Sequence, residues 1–230
     1  MRGIISQSTE TFSAASTQLG RGDHAIVESL LAALRARDLD TYAHSKRAVS
    51  ISLLLGRECG LNQEEMRALE LGALLHDIGK IGVPDAVLHK PGELNPEEWL
   101  VMRRHPHYGQ GILQSLTFLE EAARVVFQHH ENWDGSGYPL GLRGEEIDLN
   151  ARILIVADAF DAMTSDRVYR TATSYDVALA ELKRCAGTQF DPQVVEAFHY
   201  ISREECDDIK SGGYSPVLNF VRVRAGAAGM

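Results

Sequence analysis

The stretch His129-His130-Glu131-Asn132-Trp133-Asp134-Gly135-Ser136-Gly137-Tyr138-Pro139 sets two adjacent histidines at the end of a helical pattern and runs them into a turn. Upstream, Leu119, Ala122, Ala123, Val126 and His130 repeat at the spacing of one helix face. Downstream, glycines and Pro139 interrupt any periodic element, so the segment reads as helix followed by loop. Paired imidazoles beside a glycine-rich turn suggest a metal site with a rim facing a substrate.

The same alternation of helix and punctuation extends outward. Toward the C-terminus, Asn150 is placed to cap the apolar run Ile153 to Met163. Ser174 to Ala186, ended by Gly187, and Asp191-Pro192 to Ile201 give two more helices. Toward the N-terminus, Ala25 to Arg37 carries Ile26, Val27, Leu30, Leu31 and Leu34 at helical spacing. Asp40 to Gly60 follows with Asp40 as its cap, and Asn62-Gln63-Glu64-Glu65 opens a helix through to His76 with a capping box. Gly79 to Gly92 holds three glycines and two prolines and reads as a loop, after which Asn95-Pro96-Glu97-Glu98 opens another helix. With about eight helices and no strand alternation, the expected class is all-α, a single helical bundle. Residues 1–23 read as a flexible leader and 24–210 as the folded domain. The tail 211–230, with its Val217 to Val223 patch, stays unassigned.

Composition bounds the rest. The chain has 230 residues, 44% of them hydrophobic, enough for a core without staples. Cys59, Cys185 and Cys206 form no CxxC pair, so neither a disulfide framework nor a thiolate zinc site is indicated. A net charge of -9 argues against a general DNA- or RNA-binding surface but leaves room for a small anion held by local cations. No apolar run approaches the roughly 18 residues of a membrane span, and no signal peptide is evident, so the expected compartment is the cytoplasm.

Of nine histidines, five sit near other donors: His44 after Asp40, His76 next to Asp77, His105 before Pro106, and His129-His130. Imidazole with carboxylate suits iron, manganese or zinc, and the lack of thiolates disfavours a structural zinc. Asp40 and His44 share a helix face, Asp77 can bridge two ions, and Asp158 on an apolar helix needs a partner for which a cation is the strongest choice. His24, His89, His107 and His199 read as ordinary surface or core histidines.

His76-Asp77-Ile78-Gly79-Lys80, taken with His129-His130-Glu131 and Asp134 to Pro139, resembles the HD-GYP family of phosphodiesterases. Gly82-Val83-Pro84-Asp85, Lys90-Pro91-Gly92, Val156-Ala157-Asp158, Asp161 to Arg167 and Phe190-Asp191-Pro192 follow in the family's order, covering about Leu39 to Tyr200. The resemblance implies an all-α HD-superfamily domain with two or three divalent ions, iron or manganese. It implies hydrolysis of cyclic di-GMP to linear pGpG, with GMP left open as a further product. By its motifs His76, Asp77, His105, His129, His130 and Asp158 are metal ligands. Asp40 and His44 fall on the pair that completes a third site, where three-metal members can carry Glu in place of Asp40.

Paired ions would acidify a water and clamp phosphate oxygens. Arg167 and Arg170 are placed to meet charge on the phosphoryl oxygens; the plain alternative is two solvated arginines. Lys80 is assigned to orient a phosphate or protonate the leaving oxygen, with a structural salt bridge to Asp77 as the alternative. Gly137 and Tyr138 offer free amides and a ring for guanine. Glu131, Asp134 and Asp161 are expected to orient the ligands. Two other readings stay open. One is a cyclic di-GMP receptor, or a scaffold that docks a diguanylate cyclase through Gly137-Tyr138-Pro139. The other is an HD hydrolase of a cyclic GMP-AMP dinucleotide.

Overall fold

The computed structural model describes residues 20–166 and 171–212. They form eleven α-helices and no β-strand beyond an isolated bridge between Ala186 and Phe190, as the all-α reading expected. In chain order the helices are α1 (Arg21–Arg37), α2 (Leu39–Glu58), α3 (Gln63–Leu75), α4 (Asp85–Leu88), α5 (Pro96–Met102), α6 (His105–Leu113), α7 (Glu120–Gln128), α8 (Leu149–Thr164), α9 (Tyr175–Arg184), α10 (Pro192–Ala197) and α11 (Arg203–Ser211). None is long and apolar enough to cross a membrane.

The centre is α2 packed on α3 and α8, with α3 also packed on α7. These four helices carry most of the fully buried apolar side chains, among them Val49, Leu55, Leu69, Leu75, Val126, Leu154 and Phe160. Each such side chain contributes on the order of 1.5–3 kcal/mol on leaving water. Helix α6 lies against α7 and against the 3-10 turn Ile78–Gly82, while α1 covers α2 and that same turn. Helices α9 and α10 close over α8, and α11 reaches α2.

Several local expectations shift. Helix α1 begins at Arg21, inside the segment read as a leader, because the Asp23 carboxylate reaches back to the Gly20 amide at 3.1 Å. Asp38 rather than Asp40 caps α2, its carboxylate accepting from the amides of Asp40 and Thr41. Asp148 rather than Asn150 caps α8, and the Asn150 side-chain amide instead donates to the Glu65 carbonyl. Gly79 to Gly92 is not wholly loop, since it holds the 3-10 turn and α4. The count exceeds eight because α4 and α6 are too short to display a period and α11 buries only Cys206 and Ile209. The Asn62 capping box and the helix start at Asn95-Pro96 stand where expected, and Asn95 forms a capping box with Glu98 as well. The Val217 to Val223 patch lies outside the described residues, as do residues 1–19 and 213–230.

Candidate metal centre

Three histidines reach the centre by one local device. His76 ends α3, His129 ends α7 and His105 opens α6. Each sets its ring Nδ1 against the carbonyl three residues back: Ala73 at 2.8 Å, Met102 at 2.9 Å and Val126 at 2.6 Å from His76, His105 and His129 respectively. For His76 and His129 that carbonyl belongs to the last turn, where helical partners run out. A carbonyl can only accept, so each Nδ1 carries the hydrogen and each Nε2 presents a lone pair.

Those lone pairs converge. The His105 and His129 Nε2 atoms are 3.2 Å apart, and His130 Nε2 lies 3.1 Å from that of His105. His44, His76 and Asp77 form a second group whose ligand atoms lie within 4.8 Å of one another, as do those of the first. Asp77 stands between them, with Oδ2 3.3 Å from His76 Nε2 and Oδ1 3.5 Å from His105 Nε2. Asp158, from α8, meets His44 Nε2 at 2.6 Å and lies 4.0 Å from His76 Nε2.

The electrostatics match this donor set. Burial disfavours the imidazolium of His129 and His130, and neighbouring histidines add to it, so His129 is held well below the usual range and His130 falls to about 3. His105 is lowered too, chiefly by burial. Burial opposes ionisation of Asp77, yet Lys80 and His76 overcome it and hold the carboxyl well below its ordinary value. Burial also opposes protonation of His44, but hydrogen bonds to Asp158 and Asp161 outweigh it and raise that imidazole to about 9. Neutral imidazoles around buried carboxylates are the donors a divalent ion requires. Close-set lone pairs with no hydrogen between them become favourable when they share a cation, so the residues fit the ions that the sequence implied.

The other expected site residues fall in different places. Asp161 is buried, accepts from His44 Nδ1 at 2.6 Å, and is gripped by Arg47 through Nε at 2.7 Å and an Nη at 3.0 Å. The sequence reading missed Arg47; its signal is its place one helical turn after His44. Lys80 donates to Asp77 Oδ2 at 2.7 Å. Glu131 and Asp134, expected to orient the ligands, accept backbone amides of the loop. Buried Glu131 accepts the amides of Leu140 and Leu142, tying down the loop, and exposed Asp134 accepts the Ser136 amide within its own turn. Asp40 is exposed in the first turn of α2 and belongs to neither histidine group. Arg167 and Arg170 lie outside the described residues.

Gly137 must lack a side chain, since a Cβ there would sit 2.3 Å from the Asn132 amide. Tyr138 stacks on His130 with ring centroids 4.8 Å apart and planes 20° from parallel, and the Arg103 guanidinium lies over the Tyr138 ring at 5.1 Å.

Residues 27–194 match the HD-domain family. The chain is 46% identical over 170 residues to the cyclic di-GMP phosphodiesterase response regulator RpfG of Xanthomonas campestris, covering 73% of this chain and 45% of that protein. It is 40% identical over 173 residues to a cyclic di-GMP phosphodiesterase of Thermotoga maritima, 74% of this chain and 47% of the relative. It is 37% identical over 173 residues to 3'3'-cGAMP-specific phosphodiesterase 2 of Vibrio cholerae, 74% of this chain and 33% of the relative. The chain thus spans less than half the length of these curated relatives. Its fold is like that of the crystal structure of a cyclic GMP-AMP specific phosphodiesterase of V. cholerae, with a TM-score of 0.61 at 22% identity over 84% of this chain and 51% of that one. The ordered motifs, the helical bundle and the family match agree, and the chain belongs to the HD-domain family.

Proposed function

We propose that the chain is a metal-dependent phosphodiesterase that opens cyclic di-GMP to linear pGpG. The observation that carries this reading is Asp77, one carboxylate between two histidine groups with an oxygen toward each. That arrangement suits two ions. The donors, imidazole and carboxylate without thiolate, suit iron or manganese. Ions held there would supply Lewis acidity to phosphodiester oxygens and acidify water at neutral pH.

The protein's part is to hold the donors ready. His76, His105 and His129 are fixed in one tautomer by backbone carbonyls, which removes ring rotation from the binding step. Asp161 holds the His44 ring from behind. His44 and Asp158 share a proton that ion binding must release. We assign two ions and leave Asp40 out of the set, because it is exposed and belongs to neither histidine group. Lys80 donates to Asp77 at the centre and is placed to give a proton to a leaving ribose oxygen. Arg167 and Arg170 are assigned to the phosphoryl oxygens.

The names of the relatives support this substrate class. The V. cholerae relative acts on cGAMP by its name, which favours that mixed dinucleotide as the second reading. The test is chromatography of products after anaerobic incubation of Fe(II)- or Mn(II)-loaded protein with cyclic di-GMP and, separately, with 3'3'-cGAMP. We expect pGpG from the first, and none from a His76→Ala, Asp77→Ala variant. A loaded protein that binds nucleotide yet releases no linear product is a receptor, and one that opens only cGAMP has the second specificity.

A further inference from the structure

Arg103 is a guanidinium that no carboxylate of the described residues engages. The other arginine and the lysine at the centre are committed, Arg47 to Asp161 and Lys80 to Asp77. Arg103 is exposed at the end of α5, and its guanidinium lies 5.1 Å from the centroid of the Tyr138 ring. That ring is itself stacked on His130, one of the histidines at the centre. The cation is therefore held at the rim, one aromatic layer above the metal-ligating histidines, with planar donors and a charge it cannot lose.

The same arrangement corrects the expected role of Tyr138. With His130 against the ring and Arg103 over it, the tyrosine is a support for the guanidinium rather than an open platform for a base. An open platform exists one helical turn earlier, where Trp99 shares the Arg103 face of α5 and is 47% exposed.

We propose that Arg103 and Trp99 form a guanine subsite at the mouth of the centre, with Tyr138 holding the guanidinium in place. This inference rests on the cyclic-dinucleotide reading above. Paired guanidinium donors fit the N7 and O6 acceptors of guanine, whereas adenine offers N7 beside an amino donor that repels them. Trp99 supplies stacking that does not distinguish the bases. A base anchored at Arg103 leaves the phosphodiester of the same molecule to reach the histidines.

The test is equilibrium binding of non-hydrolysable phosphorothioate analogues of cyclic di-GMP and cyclic di-AMP to the metal-loaded full chain, by titration calorimetry. The wild type should prefer the guanine ligand by about tenfold or more. Arg103→Met should bring the two affinities together, whereas Arg103→Lys should keep part of the preference, because its ammonium still donates to O6 and N7 but lacks the fork. Trp99→Ala should weaken both ligands about fivefold or more and leave their ratio unchanged. If Arg103→Met weakens both ligands equally, the arginine meets a phosphate and the guanine subsite is wrong. The readout is binding, so it decides the subsite whether or not the protein turns its ligand over. Absence of turnover with intact guanine preference would sink only the hydrolytic reading.

Discussion

His76, His105 and His129 each hand the Nδ1 hydrogen to a carbonyl three residues back, and that bond leaves each Nε2 with a lone pair to offer before any ion arrives. The buried histidines around them also predict a pH dependence for the metal-free chain. His105, His129 and His130 have lowered folded-state values, so below about 6.5, the ordinary histidine value, the unfolded chain takes up protons that the folded chain refuses. Stability therefore falls as the pH drops from there. His44 has the opposite sign. Its contribution is fully present below about 6.5 and is lost as the pH rises through about 9. Asp77 and Asp158, both lowered against the pull of burial, lose theirs only below the ordinary carboxyl value of 3.8. The urea midpoint should decline on both sides of about pH 7. His130→Asn should flatten the acid limb and His44→Asn the alkaline limb; an acid limb untouched in the first variant would show that His130 is not held neutral by the fold.

At the scale of elements, the close approach of the 3-10 turn to α6 decides whether His105 meets Asp77. Gly79 makes that approach possible, because a Cβ there would lie 1.9 Å from the His105 carbonyl oxygen and 2.5 Å from the Gly109 amide. Both neighbours are backbone and cannot swing aside. Gly79→Ala should cost about 3 kcal/mol in denaturant unfolding and lower the bound metal measured by mass spectrometry. Gly111, also on α6, faces open space, with nothing within 4 Å of where a Cβ would stand. Its change to Ala should be neutral or stabilising by up to about 1 kcal/mol, and equal losses at both positions would remove the close approach as the cause. The Arg47 to Asp161 clamp joins α2 to α8 behind His44. Arg47→Met should weaken metal binding by about 10- to 100-fold in competition with a chromophoric chelator, with Arg47→Lys giving partial rescue.

Across the whole molecule, the centre draws on α2, the end of α3, α6, the end of α7 and α8, so ion binding ties together segments from His44 to Asp158. An ion at about 100 times its dissociation constant should add about 2.7 kcal/mol, raising Tm by roughly 5–10 °C for a domain of this size. Chelation should reverse that shift in the wild type and leave an Asp77→Ala variant unmoved. An equal response in both would place the ions elsewhere. Much of this architecture was legible in the chain. Helical spacing, the Asn62 capping box, the Asn95-Pro96 helix start and the ordered HD-GYP motifs marked the all-α class and the histidine and aspartate set, because helix periodicity and motif spacing are local properties of the chain. Cap positions at Asp38 and Asp148 slipped by two residues, since neighbouring Asp and Asn side chains compete for the same amides and only geometry selects among them. The roles of Glu131, Asp40, Arg47 and Arg103 were not legible, because each depends on what the fold brings opposite: loop amides for Glu131, solvent for Asp40, α8 for Arg47 and the Tyr138 ring for Arg103. The sequence by itself determined the helices and the identity of the metal-capable residues. Only the tertiary structure decided that Asp77 stands between two histidine groups, that Asp40 stands apart, and that Tyr138 backs a guanidinium, because such pairings follow from how closely glycine-lined helices can approach and not from spacing along the chain.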